Sequence, residues 1–182
     1  TTVGFQMYCD LLSIEIQKTK SEGGAVQKTP QVTTSFQPDI SSDYIENMSL
    51  RIDYYYRVGS ATSVEQLNKI EKELVDVFGP IPDKTKKLFL VASLKNKYKS
   101  TPVSQIDIQD SVLKIVVQPL NEEKQLDFLS RVGVYKHKTL ESVRFKEVSG
   151  GLLGVFLNVS GPGDVFGLLF DFVHLFDPID TA

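Results

Sequence analysis

"V-S-Q-I-D-I-Q-D-S-V-L-K-I-V-V", residues 103–117, decides the fold, because here the apolar period changes from that of a helix to that of a strand. Val103 to Ile108 and Val112 to Val117 read as two strands around a Gln109-Asp110-Ser111 turn. Outward toward the carboxy terminus the pattern recurs. Glu122 to Val132 is helical, Ser142 to Val148 and Leu152 to Val159 are strands around Gly150-Gly151, and Pro162 to Phe176 is helical. The order is ββα and then ββα. Two hairpins, each followed by a helix, predict a four-stranded, largely antiparallel sheet with helices on one face. The last helical run, "D-V-F-G-L-L-F-D-F-V-H-L-F" (164–176), is apolar on every side and too short to cross a bilayer, so either the sheet and another element clamp it or one side completes its burial on a partner.

Outward toward the amino terminus lies a helical block, from about Ser49 to Tyr98. Leu50, Ile52, Tyr54, Tyr55 and Val58 make its first helix, which should break at Gly59. Tyr54, Tyr55 and Tyr56 must point three ways, which either places two rings in the core and one on the surface or offers a ring as a partner contact. Ser60 or Thr62 can cap the second helix, and Ser63 with Gln66 stands at capping-box spacing as another option. On that helix Leu67, Ile70, Leu74, Val77 and Phe78 share one face, Lys69, Lys72 and Asp76 project oppositely, and Glu73 sits at the flank. Gly79 suits the left-handed residue after the helix, Pro80 prevents its continuation, and Pro82 is pre-set for the next first turn. The third helix, about Pro82 to Tyr98, turns Leu88, Val91, Ala92 and Leu94 inward.

Before this block, Gln27 to Asp43 is rich in Thr, Ser, Gln and Pro, the mark of a connection. Within it Val32, Thr34 and Phe36 alternate with Thr33 and Ser35, which predicts one short extended segment. From Val3 to Lys20 the spacing of Phe5, Tyr8, Leu11, Leu12, Ile14 and Ile16 is mostly helical. The chain therefore divides into a helical tail over 1–22, a linker over 23–43 and a domain over 44–182. Its class is α+β, a helical block followed by the ββαββα unit.

The 182 residues are enough for a single core without disulfides or metal, and 41% hydrophobic with 24% charged residues is ordinary globular composition. A formal charge of -3 gives no whole-chain case for nucleic acid. Cys9 is the sole cysteine, so no bridge forms within the chain and a reduced, cytoplasmic setting is expected. The opening lacks an initiator Met and has the look of an excised piece.

Catalytic templates fail one after another. No glycine-rich string is followed by Lys and Ser or Thr, as a phosphate cradle requires. Gly161-Pro162-Gly163-Asp164 reads as a helix-capping turn, because Pro162 removes an N–H and Asp164 repels phosphate. His137 and His174 lack partners at metal-ligand spacing; the first is expected in a solvated loop and the second in the core or at its boundary. The expectation is no enzyme, no cofactor and no metal. Lys84, Lys86, Lys87, Lys95, Lys97 and Lys99 crowd one helix, either as a solvated face or, through Lys84, Lys87 and Lys95, as an auxiliary nucleic-acid contact.

"V-G-F-Q-M-Y-C-D-L-L" (3–12), "D-Y-I" (43–45), "R-I-D-Y-Y-Y-R-V-G-S-A" (51–61) and "K-E-L-V-D-V-F-G-P-I-P" (72–82) together resemble the carboxy-terminal region of the bacterial transcription-repair coupling factor family, Mfd. The family pattern is approximately V-G-F-x-x-Y-x-x-L-L, Y-I-P-D, R-L-x-x-Y-K-R-L-A-x-A and E-L-x-D-R-F-G-P-L-P. The likeness is close from Val3 to about Lys99 and beyond that extends only to the order of elements. It implies a parent that is an ATP- and Mg-dependent DNA translocase acting on stalled RNA polymerase and recruiting UvrA. Residues 1–22 would leave the upstream motor region, and 44–182 would be the terminal regulatory domain, packed on the parent's UvrB-like amino-terminal module and masking its UvrA-binding surface. By position Glu73 and Asp76 correspond to acidic interface residues, able to receive arginines bidentately. The bland alternative is intrahelical pairing of Lys69 with Glu73 and Lys72 with Asp76. Val77 stands where the family has Arg, and Glu46-Asn47 replaces Pro-Asp, which should loosen the entry to the first helix.

Overall fold

The computed structural model describes residues 29–160 and 164–177. Two compact units are present: among the described residues, Phe36–Asn96 form the first, and the remainder form the second. The predicted helix from Val3 to Lys20 lies outside the described residues, as does Cys9.

The first unit contains α1 (Met48–Ser60), α2 (Val64–Phe78) and most of α3 (Asp83–Tyr98). Each start has a local cause. Asn47 caps α1, its side chain accepting from the Leu50 N–H at 3.1 Å, so the departure from Pro-Asp leaves the entry well terminated. Ser63 caps α2 by accepting from Gln66 N–H, while Gln66 Oε1 reaches back to the Thr62 N–H at 2.8 Å. Gly79, at φ 83°, ends α2 with its N–H donated to Val75 O. Gly59 does not break α1 as expected: a glycine inside a helix costs about 1 kcal/mol without stopping it, and the helix continues to Ser60.

Leu67, Ile70 and Leu74 pack with Tyr54, Tyr55 and Val58 of α1 and with Leu88 and Phe89 of α3. Tyr54 and Tyr55 are buried and Tyr56 is 53% exposed, the division the three-way geometry demands. Val77 is a correction: it is 63% exposed and outside the core. Phe78 fills the inward position of that last turn, its ring edge-on to Tyr44 at 5.9 Å and to Tyr54 at 6.0 Å, which leaves Val77 on the outer flank.

The second unit is built on a five-stranded sheet in the order β1-β2-β3-β5-β4, with β1 Gln31–Thr34, β2 Val103–Ile108, β3 Val112–Val117, β4 Leu140–Val148 and β5 Leu152–Val159. The α+β class is as read, but the sheet has five strands and not four. The short extended segment supplies the fifth, β1, parallel to β2 with Val32 opposite Ile106 and Thr34 opposite Ile108. A parallel partner so distant in sequence leaves no local signal; the other pairings are antiparallel.

Gly150 and Gly151, at φ 79° and 73°, lie in the three-residue turn (149–151) between β4 and β5, where positive φ favours glycine. Register aligns Ile106, Ile115 and Val155 across one face and Asp107, Lys114 and Phe156 across the other. The first face is buried. Its cover comes from α4 (Glu122–Val134), α5 (Val165–Phe172) and a 3-10 turn (Val173–Phe176). Phe128 stacks on Phe176 at 4.7 Å and meets Phe172 edge-on at 6.5 Å, and the Tyr98 hydroxyl donates to Leu169 O at 2.7 Å. No helix among the described residues is long and apolar enough to cross a membrane.

Candidate functional site

The amphipathic period of α2 puts its apolar side into the first unit's core and leaves its outer flank to Asn68, Glu71, Lys72, Val75, Asp76 and Val77. Asn68, Glu71, Lys72, Val75 and Asp76 line a depression of about 340 Å³. Val75 is 45% exposed, so two valines bracket Asp76 on the surface.

Glu73 stands beside this flank in a different chemical state. Arg57, in the last turn of α1, grips its carboxylate bidentately, Nη1 to Oε1 at 2.8 Å and Nη2 to Oε2 at 2.5 Å, and the Tyr54 hydroxyl donates to Oε1 at 2.9 Å. The guanidinium also lies over the Tyr54 ring, 5.0 Å from its centroid. The Arg57 hydrogen bonds first, and the Tyr54 hydroxyl second, hold the Glu73 carboxyl at about 2. Glu73 pushes the Arg57 guanidinium upward in turn. Burial, reinforced by Glu73, raises the Tyr54 phenol.

The expected intrahelical pairs do not form: among the described residues, Glu73 is bonded to α1 and Asp76 makes no ion pair. Two protein donors already occupy Glu73, so it offers an approaching arginine less than a bare carboxylate would. Asp76, Val75 and Val77 are the open part of the site. Neither Arg57 nor the bond from Tyr54 to Glu73 was legible in the sequence, because which residues of α1 face the flank of α2 depends on how the helices pack.

The lysines of α3 do not gather into one stripe. Lys84 and Lys87 are exposed, Lys95 is partly buried, and buried Leu88 and Val91 fall on the same side between them. Lys87 Nζ lies 4.8 Å from the Phe36 ring centroid, and Lys86 pairs with Asp83 at 3.5 Å.

The histidines exchange their expected places. His137 has only 11% of its side chain exposed, with Nδ1 2.8 Å from Thr139 Oγ1 and Nε2 3.7 Å from Asp171; His174 is 63% exposed and paired with Asp177. Asp164 caps α5 by accepting from the Gly167 N–H, and Lys138 pairs with it at 2.8 Å. Among the described residues no cluster of His, Cys, Asp and Glu is arranged to hold a metal ion.

The sequence profile of the TRCF domain matches residues 34–128, more than half of the chain. The chain is 30% identical over 114 residues to a transcription-repair-coupling factor of Haemophilus influenzae, covering 58% of this chain and 10% of that protein. It is 28% identical over 120 residues to the one of Bacillus subtilis, covering 64% and 10%. It thus spans about a tenth of the length of these relatives. A crystal structure of the C-terminal domain of transcription-repair coupling factor superposes with a TM-score of 0.62 at 19% identity, covering 84% of this chain and 96% of that one. That likeness establishes a shared fold.

Proposed function

The chain belongs to the TRCF domain family, and on that premise we propose that it is the regulatory module of a transcription-repair coupling factor, acting by covering a neighbour's surface. Its partner in this reading is the UvrB-like amino-terminal module of the same protein, whose UvrA-binding surface it masks. By holding that closed state it restrains the DNA translocase motor until RNA polymerase engages. Nucleotide and magnesium belong to the motor; the module performs no chemistry of its own, needs no cofactor and works in the cytoplasm.

The observation that supports this reading is the outer flank of α2, where Asp76 lies between exposed Val75 and Val77 and makes no ion pair among the described residues. A carboxylate set between apolar side chains suits an arginine, whose planar fork binds both oxygens while its stem lies on the valines. Glu73 fixes this flank to α1 and accepts a second cation with its remaining lone pairs. Val77 in place of the family's arginine removes one donor and substitutes an apolar contact. A lid tethered in the same chain faces its partner at an effective concentration of roughly millimolar, so a few kcal/mol of differential binding is enough to hold it closed.

The test is calorimetric titration of this chain into the separately expressed UvrB-like module. Asp76→Lys should weaken binding by roughly tenfold or more, as reversal of an interface charge does. Unchanged affinity in Asp76→Lys and also in Val77→Asp would remove this flank from the interface.

A further inference from the structure

The sheet of the second unit ends on one side in β4, and among the described residues no strand pairs with its outer edge. At nine residues β4 is the longest strand, whereas the opposite edge, β1, has four. Edge strands present a row of unused N–H and C=O groups and are usually kept short or covered.

Hydrogen-bond alternation identifies these groups on β4. The Val159 N–H donates to Ser111 O, on the side of β3, and the Ser160 N–H donates to Thr139 O, on the side of β4. Even-numbered residues of β5 therefore bond toward β4 and meet its even-numbered residues: Arg144 opposite Phe156, Lys146 opposite Gly154. The backbone groups of Val143, Phe145 and Glu147 point outward, away from β5.

The side chains sort by face with the same period. Val143 and Phe145, opposite Leu157 and Val155, lie on the helix-covered face, and the cover stops short of them, leaving Phe145 40% exposed. Beyond them on that face, a cavity of about 320 Å³ is lined by Gln118, Leu120, Gln125, Glu147, Leu152 and Leu153. The opposite face of β4 carries Arg144 and Lys146. Arg144 Nη2 donates to Asn158 Oδ1 at 3.3 Å, and neither cation has a carboxylate partner among the described residues. The neighbouring Lys114 is already paired with Asp107 at 3.5 Å.

We propose that β4 is a strand-addition site for an extended segment of another polypeptide, with acidic side chains opposite Arg144 and Lys146, an apolar side chain against Phe145, and a lysine or arginine entering the cavity at Glu147. Backbone bonding to Val143, Phe145 and Glu147 supplies the adhesion and the alternating pockets supply the selection. A second copy of this chain does not fit. Antiparallel self-pairing that keeps faces aligned sets Arg144 and Lys146 only against themselves, each other or uncharged residues; centred on Arg144, it also sets Glu141 against Glu147. Like charges directly opposite oppose pairing. The site involves none of the residues of the proposed regulatory flank, and its test is separate.

The probe is a fluorescein-labelled octapeptide alternating Glu with Val and ending in Lys, titrated into the full chain by anisotropy, with amide exchange followed by NMR. Saturable binding should slow exchange at Val143, Phe145 and Glu147. The pair Arg144→Glu with Lys146→Glu should weaken binding by roughly tenfold or more and transfer preference to a Lys-Val peptide. Val143→Pro, which removes one outward N–H and leaves the bonds to β5, should abolish binding of both peptides. Saturation without protection on β4, no saturation at all, or a concentration-dependent dimer that Val143→Pro dissolves would each overturn the proposal, the last in favour of a second copy.

Discussion

The two units fix their interiors by different means. In the first, tyrosine hydroxyls serve as crosslinks: Tyr55 donates to Asp39 and accepts from the Ile40 N–H at 2.6 Å, Tyr44 donates to Gly79 O at 2.9 Å, and Tyr54 donates to Glu73. In the second, Phe128, Phe172 and Phe176 fill the space over a sheet of Val, Ile and Leu, and apolar packing dominates, with the buried Tyr98 hydroxyl donating to Leu169 O as a lesser polar link. Directional polar links specify a geometry at modest net energy, whereas apolar packing contributes more energy and less direction. The unit richer in directional links is also the one whose surface carries the proposed regulatory flank.

The largest effect should come from emptying the apolar centre. Phe172→Ala removes a fully buried ring that meets Phe128, Tyr135 and Phe176, and should cost about 3–5 kcal/mol in denaturant unfolding. If the first unit melts separately, its transition should be unmoved. Tyr55→Phe strands the Ile40 N–H and the Asp39 carboxylate while keeping the ring, and should cost about 1–3 kcal/mol. A loss as large as that of Phe172→Ala would erase the contrast between the units.

Acid titration gives a smaller effect. The folded Glu73 carboxyl is depressed to about 2, below the unfolded value near 4.3. Its contribution is therefore complete above the unfolded value and is lost as pH falls from there through the folded one. Because 42% of the Glu73 side chain and 34% of that of Arg57 are exposed, solvent screening limits the contribution to about 0.5–1 kcal/mol. Glu73→Gln should flatten that window in the stability-versus-pH curve, and an unchanged curve would show that the clamp contributes nothing to stability. Smallest of all, Asp76→Lys should leave the thermal midpoint where it is; a displaced midpoint would mean that this residue supports the fold.

Local chemistry made much of this molecule readable in the sequence. The strands at 103–117 and the Gly150-Gly151 hairpin follow from alternation and turn residues, and they lie where expected. What was not readable depended on partners distant in sequence, or on choosing the inward side of a helix whose residues are nearly all apolar. Nothing near Gln31–Thr34 announces a parallel partner at Gln105–Ile108. His174 lies outside the core because it falls on the side of the helical period opposite the buried Val165, Leu168, Leu169, Phe172 and Phe176. For the candidate site, the carboxylates of α2 could be found by period, but the Arg57 clamp that occupies one of them could not.

The most direct test of the regulatory reading is competition. UvrA is titrated into the UvrB-like module with and without a saturating amount of this chain in trans. The account predicts that UvrA affinity falls as the chain binds and recovers when Asp76→Lys replaces it. A stable complex holding all three components at undiminished UvrA affinity would contradict it.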